Sequence, residues 1–123
     1  MNRRLCIVKL FEAEWKLMEV VWENEPVTAK QLSILASEQI GWNKNTTYTI
    51  IKKLIDKNII IRSEPNFMCT SLLKKDDAVK AETSSLIDRV FAGSKKSFFA
   101  AFLEDDNLSE DEIEALKAMI EKK

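Results

Sequence analysis

The sequence predicts a mostly α-helical protein in two parts. The first is an N-terminal winged helix-turn-helix with a short β-hairpin wing, and the second is a C-terminal helical dimerisation domain. Three observations predict this. The 123 residues include only two glycines and two prolines, so few sharp turns are marked. Two helical segments are followed by a basic amphipathic helix and then by a run of β-branched residues. The last third of the chain again has helical periodicity.

The basic helix lies in the stretch from Trp42 to Arg62, which holds five Lys or Arg and one acid in a chain of net charge −1. Its inward residues follow the i, i+3, i+4, i+7 spacing: Thr47, Ile50, Ile51 and Leu54. Its opposite face carries polar, aromatic and cationic side chains: Asn45, Tyr48, Thr49, Lys52 and Lys53. Such a face fits the major groove of DNA, although an ordinary solvated helix face has the same composition.

A first helix is expected from about Ala13 to Glu23, before the chain is broken by Pro26. One side of this helix is formed by large apolar residues: Trp15, Met18 and Trp22. We expect the two tryptophans to be core residues, because aromatic side chains at helical spacing are usually buried.

The second helix is marked at both ends. Thr28 and Gln31 have the spacing of a capping box, and Gly41 is placed to end the helix. Its inward residues are small or apolar: Ala29, Leu32, Leu35 and Ala36. Asn43 or Asn45 then caps the basic helix. Three short helices with tight junctions, the third basic, are typical of a helix-turn-helix.

A β-hairpin is expected directly after the basic helix. Residues 59–61 are a β-branched run, Pro65 and Asn66 mark a turn, and residues 67–71 can pair back. A hairpin in this position makes the unit winged. Its tip carries no cation, unlike that of many wings.

The C-terminal part, residues 74–123, follows a DNA-binding domain of residues 1–73. A chain of about this size rarely buries enough apolar surface to fold alone, so it either packs on the first part or pairs with a second copy. We favour the second copy, because two groove-reading domains bind better than one. The residues expected to form the dimer contact are apolar: Val79, Leu86, Ile87, Val90, Phe91, Phe98, Phe99, Phe102, Ile113, Leu116, Met119 and Ile120.

Composition argues against catalysis and against membrane insertion. The chain has no histidine, which removes the commonest general base and most zinc sites. Cys6 and Cys69 match no metal-ligand spacing and are expected to be reduced and buried. No apolar run approaches the roughly 18 residues of a membrane span. We therefore expect a cytoplasmic protein without metal or cofactor, and not an enzyme.

The chain resembles the BlaI/MecI penicillinase-repressor family over nearly its whole length. The resemblance rests on AEWKLMEVVWENEPVTAKQL, on NTTYTIIKKLIDKNIIIR, on the KKDDAV helix start and on the closing LSEDEIEALKAMI. It implies a homodimeric repressor of β-lactam resistance genes, bound to a palindromic operator on double-stranded DNA. It also implies that repression ends when a membrane-bound, penicillin-sensing metalloprotease signals cleavage inside the dimerisation domain.

The chain departs from the family pattern at several places. Lys53 stands where arginine is usual, and the wing reads SEPNF instead of a more polar or basic turn. At the family's scissile bond, usually Asn-Phe, this chain has Ala101 and Phe102. The copper-sensing branch of the family has paired Cys-x-Cys motifs near the C-terminus, whereas this C-terminus has no cysteine.

The expected DNA contacts divide into two groups. Contacts with phosphates are expected from Lys44, Thr46, Lys53 and Arg62. Contacts with base edges are expected from Asn45, Tyr48, Thr49 and Lys52. Tyr48 has a second interpretation as a rim residue that packs on Ile51. The rival function is a winged-helix protein-interaction module without DNA binding, which the acidic pI of 5.6 and the uncharged wing tip favour. A small-molecule sensor is a third, weaker option.

Overall fold

The computed structural model describes residues 9–104 and 107–123. Its helices and strands are, in chain order, α1 (Glu12–Asn24), β1 (Val27–Thr28), α2 (Ala29–Gln39), α3 (Lys44–Asp56), β2 (Ile60–Ser63), β3 (Met68–Ser71), α4 (Lys75–Phe91), α5 (Lys95–Leu103) and α6 (Glu110–Glu121). The predicted mostly α-helical fold class is confirmed. No helix in the described ranges is long and apolar enough to cross a membrane.

The chain divides into two compact units, the first ending at Glu82 and the second beginning at Thr83. The division lies inside α4, so the first two turns of this helix belong to the first unit. Ala78 in those turns is 3% exposed and is part of the core of the first unit. The functional boundary after Leu73 stays a prediction.

Helix α1 supplies the largest share of the first core. Its most buried apolar residues are Leu17, Met18, Val20 and Val21. The two tryptophans are only half-buried, and their rings meet edge to face at 5.6 Å between centroids. The indole N–H of Trp22 has a hydrogen-bond partner, because Nε1–H donates to the carbonyl oxygen of Leu73 (2.9 Å). The tryptophans therefore pack at the rim of the core, with the aliphatic residues at its centre.

The junctions of α2 and α3 follow the sequence signals. Thr28 Oγ1 accepts a hydrogen bond from Gln31 N–H (3.1 Å) at the start of α2. Gly41 has a φ of +85°, which a glycine adopts without strain, and its N–H donates to Ala36 O (3.0 Å). Of the two asparagines considered as N-cap of α3, Asn43 has that role, since its Oδ1 accepts from Thr46 N–H (2.8 Å).

The hairpin is the predicted one, with a third strand added. Strands β2 and β3 pair antiparallel from Ile60 opposite Ser71 to Ser63 opposite Met68. Strand β1 pairs with the other edge of β3, which gives the order β1-β3-β2. We did not predict β1, because a strand of two residues is too short to show alternation. Glu25 anchors β3 by accepting from the N–H and the hydroxyl of Ser71 (2.7 and 3.0 Å).

The second unit has three well-capped helical segments and little core of its own. Gly93, with a φ of +83°, ends α4, and its N–H donates to Ile87 O (3.0 Å). Ser94 and Ser109 cap α5 and α6 by accepting from the N–H groups of Ser97 and Glu112, both at 3.1 Å. Neither α5 nor α6 contains a buried residue.

Candidate nucleic-acid interface

The exposed face of α3 is fixed by the residues that the helix buries. Thr47, Ile51 and Leu54 are completely buried and lie at i, i+4 and i+7, so they form one stripe. Ile50, which we expected to face the core, is half-buried at the edge of this stripe. Thr47 also donates its hydroxyl to Asn43 O (3.3 Å), which satisfies its polar group inside the core.

The structure places the predicted DNA-contacting residues of α3 together on its solvent side. Six of them are exposed: Lys44, Asn45, Thr46, Thr49, Lys52 and Lys53. Tyr48 is half-buried, and its ring lies 6.3 Å from that of Phe67 in the hairpin. Tyr48 packs against the buried core to which Ile51 belongs, as its interpretation as a rim residue requires, and Phe67 of the hairpin is a further neighbour.

Three of the cations of the stretch have no acidic partner among the described residues: Lys44, Lys52 and Lys53. Lys57 and Arg62, which contribute to the same excess of charge in the sequence, each form an ion pair within the protein. Within this stretch, the positive charge that is available to an outside partner therefore lies on α3.

The ammonium group of Lys57 contacts the protein, while a third of the side chain is open to solvent. Its Nζ donates to Glu14 Oε1 (2.7 Å) and to Lys9 O (3.1 Å), and lies 4.5 Å from the ring centre of Phe11. Glu14 is 2% exposed, and the same Oε1 accepts from Phe11 N–H (2.9 Å). This contact joins the C-terminal end of α3 to the start of α1 and so helps to position the basic helix. Sequence reasoning missed Glu14, although a glutamate three residues into a helix is a known capping signal.

Arg62 lies in β2 and is held at the tip of the hairpin. Its Nε donates to Glu64 Oε2 (2.7 Å), and its guanidinium group lies 3.8 Å above the ring centre of Phe67. The hydrogen bond from Arg62 is the main reason why the pKa of Glu64 lies below its ordinary value, and a bond from Phe67 N–H adds to it. Glu64 is therefore ionised at neutral pH and balances the charge of Arg62. Of the eight predicted DNA contacts, Arg62 is the one whose cation is paired with an acid among the described residues.

Cys69 is completely buried in β3, as predicted, whereas Cys6 lies outside the described residues. Burial raises the pKa of the Cys69 thiol to about 11, against a smaller opposing effect of Arg62. This thiol is a small core residue and not a nucleophile. Among the described residues, no group of three or more His, Cys, Asp or Glu side chains could hold a metal ion.

The residues predicted to form the dimer contact remain largely open to solvent in the single chain. Among those that are at least a third exposed are Val79, Val90, Phe99, Phe102, Ile113, Met119 and Ile120. Ile87 is buried, and the others are half-buried: Leu86, Phe91, Phe98 and Leu116. Within the second unit, the Phe98 ring meets Phe91 and Phe99 edge to face at 5.6 and 5.3 Å. The predicted cleavage position, Ala101 and Phe102, lies in the exposed last turn of α5.

Three helices, a short antiparallel sheet and a basic third helix define a winged-helix protein. A solved structure of the same fold is Staphylococcus aureus MarR in complex with salicylate and kanamycin. It matches with a TM-score of 0.53 and 14% sequence identity, over 92% of this chain and 70% of that chain. Residues 10–122 match the sequence model of the family described as penicillinase repressor.

Two relatives cover nearly the whole chain. The methicillin resistance regulatory protein MecI of Staphylococcus aureus (strain N315) is 30% identical over 117 residues, which are 94% of this chain and 95% of that protein. The penicillinase repressor of Bacillus licheniformis is 26% identical over 117 residues, 94% of this chain and 91% of that protein. The chain belongs to the penicillinase repressor family. It is a DNA-binding transcriptional repressor and not an enzyme.

Proposed function

We propose that the chain is a cytoplasmic homodimeric repressor that binds a palindromic operator through α3 and controls β-lactam resistance or related genes. Repression ends by proteolysis in the C-terminal part, under the control of a membrane-bound sensor metalloprotease or its effector. The observation that carries the DNA-binding part is the exposed face of α3. It presents three cations without an acidic partner among the described residues, beside exposed amide and hydroxyl groups.

The eight proposed contacts have two different tasks. The phosphate contacts of Lys44, Thr46 and Lys53 set the position of the helix on the duplex, and they act equally on all sequences. Base reading is assigned to Asn45, Tyr48, Thr49 and Lys52. Asn45 lies in the first turn of α3 and is not its N-cap, so its side-chain amide is not used to cap the helix. Arg62 can contact a DNA phosphate only when its guanidinium group separates from Glu64.

Fluorescence anisotropy with a random-sequence duplex at low salt tests the interface directly. Lys53→Ala should lower affinity and reduce the salt slope by about one unit, because one phosphate contact and its released counterion are lost. Lys16→Ala, which removes an exposed lysine of α1, is the matched control and should change neither quantity. Unchanged affinity and slope in the Lys52→Ala, Lys53→Ala double variant would remove α3 from the interface.

The alternative function is a winged-helix interaction module that does not bind DNA. The acidic pI of 5.6 and the neutralised Arg62 favour it. The same titration separates the two functions, because a pure interaction module does not bind a random duplex even at low salt. The three exposed cations of α3 that have no acidic partner among the described residues favour DNA, since positive charge attracts the phosphate backbone.

The homodimer is supported by the apolar surface of the second unit. Helices α5 and α6 bury no residue, yet Phe99 is 51% exposed and Ile120 is 68% exposed. Single exposed apolar residues are common, but a run of them over three helices is typical of an association surface. A second copy of the chain is the partner that a palindromic operator requires.

A further inference from the structure

The tip of the wing contains a charge arrangement that DNA binding alone does not explain. Arg62 is the only Lys or Arg among residues 60–71, and its Nε is bound to Glu64 two residues later, at 2.7 Å. The other carboxylate oxygen of Glu64 accepts from Phe67 N–H at 3.4 Å. One acid therefore contacts both the cation of β2 and the backbone of the turn.

The turn also holds Arg62 from the opposite side. Phe67 has a φ of +52°, an uncommon value for a bulky residue, and in this conformation its ring lies 3.8 Å below the guanidinium group. The ring of Tyr48 in α3 lies 6.3 Å from Phe67. A chain of contacts thus runs from Glu64 through Arg62 and Phe67 to the basic helix. The guanidinium group thus contacts a carboxylate and an aromatic ring.

This ion pair has little to do with folding stability. The side chains of Arg62 and Glu64 are 50% and 61% exposed, and exposed pairs contribute little. The pair instead affects how strongly the wing attracts a polyanion such as DNA. While Arg62 is bound to Glu64, the charges of the two groups cancel, and the carboxylate occupies a guanidinium donor that a phosphate would otherwise bind.

We propose that Glu64 is an affinity-limiting residue of the repressor, which holds Arg62 away from the DNA backbone and leaves sequence reading to α3. This inference rests on the proposed DNA-binding role of α3. Phosphate contacts strengthen binding to all sequences alike, so a repressor that withholds one of them binds non-specific DNA less tightly. The wing therefore carries a cation, Arg62, whose charge is balanced by Glu64 of the same hairpin.

The test is a double-mutant cycle on the full chain with a short random-sequence duplex, titrated between about 50 and 200 mM salt. Glu64→Gln should bind about three- to tenfold more tightly than wild type, with a salt slope steeper by about one unit, since Arg62 gains a phosphate. In the Arg62→Gln background the same substitution should give less than about a twofold gain, because the released cation is absent.

Glu23→Gln, an exposed acid of α1, is the control for the change in net charge and should give only a small gain. An equal gain from Glu64→Gln with and without Arg62 would overturn the inference, because Glu64 would then act only through net charge. No gain from Glu64→Gln, together with weaker binding by Lys53→Ala, would also overturn it but would leave the proposed function intact. If wild type and every variant fail to bind, the proposed function and this inference fall together.

A measurement without DNA checks the pair itself. The Nε–H proton of Arg62 should exchange with solvent more slowly in wild type than in Glu64→Gln, because a charge-assisted hydrogen bond protects it. Equal exchange rates would mean that the pair does not hold Arg62, and would overturn the inference independently of any binding result.

Discussion

At the scale of single residues, Glu14 is the acidic residue that is buried in the core of the first unit. A carboxylate that is 2% exposed loses its hydration, and it is retained because Lys57 and the Phe11 N–H both donate to it. Sequence patterns could not predict this contact, because 43 positions separate Glu14 from Lys57. The periodicity of the basic helix shows that Lys57 is near its end, but not that its ammonium group contacts the start of α1.

We expect Lys57→Met to destabilise the folded protein by about 3 kcal/mol, since it leaves a buried carboxylate without its cation. The double variant Glu14→Gln, Lys57→Met should recover part of this loss, because no charge is then buried. Urea unfolding followed by circular dichroism gives both values. Glu12→Gln is the control, since Glu12 forms an exposed 4.0 Å pair with Lys16 and should cost less than about 1 kcal/mol. Equal costs for Lys57→Met and Glu12→Gln would contradict the assigned role.

Cys69 gives a second residue-scale prediction. In a Cys6→Ser background, the native protein should be almost unreactive toward a thiol reagent at mildly alkaline pH, and the unfolded chain should react at about one thiol. Burial raises the folded pKa from 9.0 to about 11. The resulting stabilisation is therefore present below the unfolded pKa and is lost as the pH rises through about 11. Rapid labelling of the native protein would show that the sheet opens around β3.

At the scale of secondary-structure elements, the sequence predicted those whose signals are local. The capping residues Thr28 and Asn43, and the Gly41 that ends α2, act within a few positions, so their roles could be read from spacing. Strand β1 and the Arg62 to Glu64 pair depend on how the hairpin folds, and their signals are weak in the sequence. The candidate site was predictable on α3 for the same reason: its amphipathic pattern alone decides which side is exposed.

Helix α4 provides the element-scale prediction. Its first turns belong to the first unit through the buried Ala78 and through a 3.0 Å pair between Lys75 and Glu19. The Trp22 bond to Leu73 holds the chain just before the helix. A chain ending at Glu82 should therefore be more stable than one ending at Leu73, by about 1–2 kcal/mol, because it retains the buried Ala78 and the pairing of Lys75. Urea unfolding of the two shortened chains measures this. Superimposable transitions would mean that the predicted boundary after Leu73 is also the structural one.

At the scale of the whole molecule, the two units have different surfaces. The first buries a continuous core and exposes cations on α3, while the second exposes apolar side chains on three helices. A single winged helix makes few contacts with DNA, and joining two of them adds avidity without any new contact. In the proposed dimer, association of the apolar second unit would therefore decide how tightly the first unit binds DNA.

We expect Phe99→Glu to convert a dimer into a monomer and to weaken DNA binding strongly, because a charge is placed in the proposed contact and avidity is lost. Sedimentation at tens of micromolar gives the oligomeric state. Ile34→Glu is the matched control: Ile34 is 49% exposed but lies in α2, so the dimer should persist. Wild-type sedimentation as a monomer would remove the proposed dimer altogether.

The proposed release step depends on where the chain can be cut. Ala101 and Phe102 lie in the last turn of a nine-residue helix, α5, which ends at Leu103. Helix ends open at low cost, so a protease reaches this bond more easily than one in α4. Phe102 is 48% exposed in the single chain, which leaves its ring accessible before dimer formation.

We expect repressor from β-lactam-treated cells to give two masses, those of residues 1–101 and 102–123, while repressor from untreated cells keeps the full mass. The cut removes Phe102, Leu103 and the whole of α6 from the proposed contact, so release from DNA should follow through lost avidity. Ala101→Asn, which restores the residue usual at this position in the family, should be cleaved at least as fast, because a protease site that binds an amide gains about 1–3 kcal/mol from it. A persistent full-length mass in cells that are fully derepressed would mean that the repressor leaves its operator by another route.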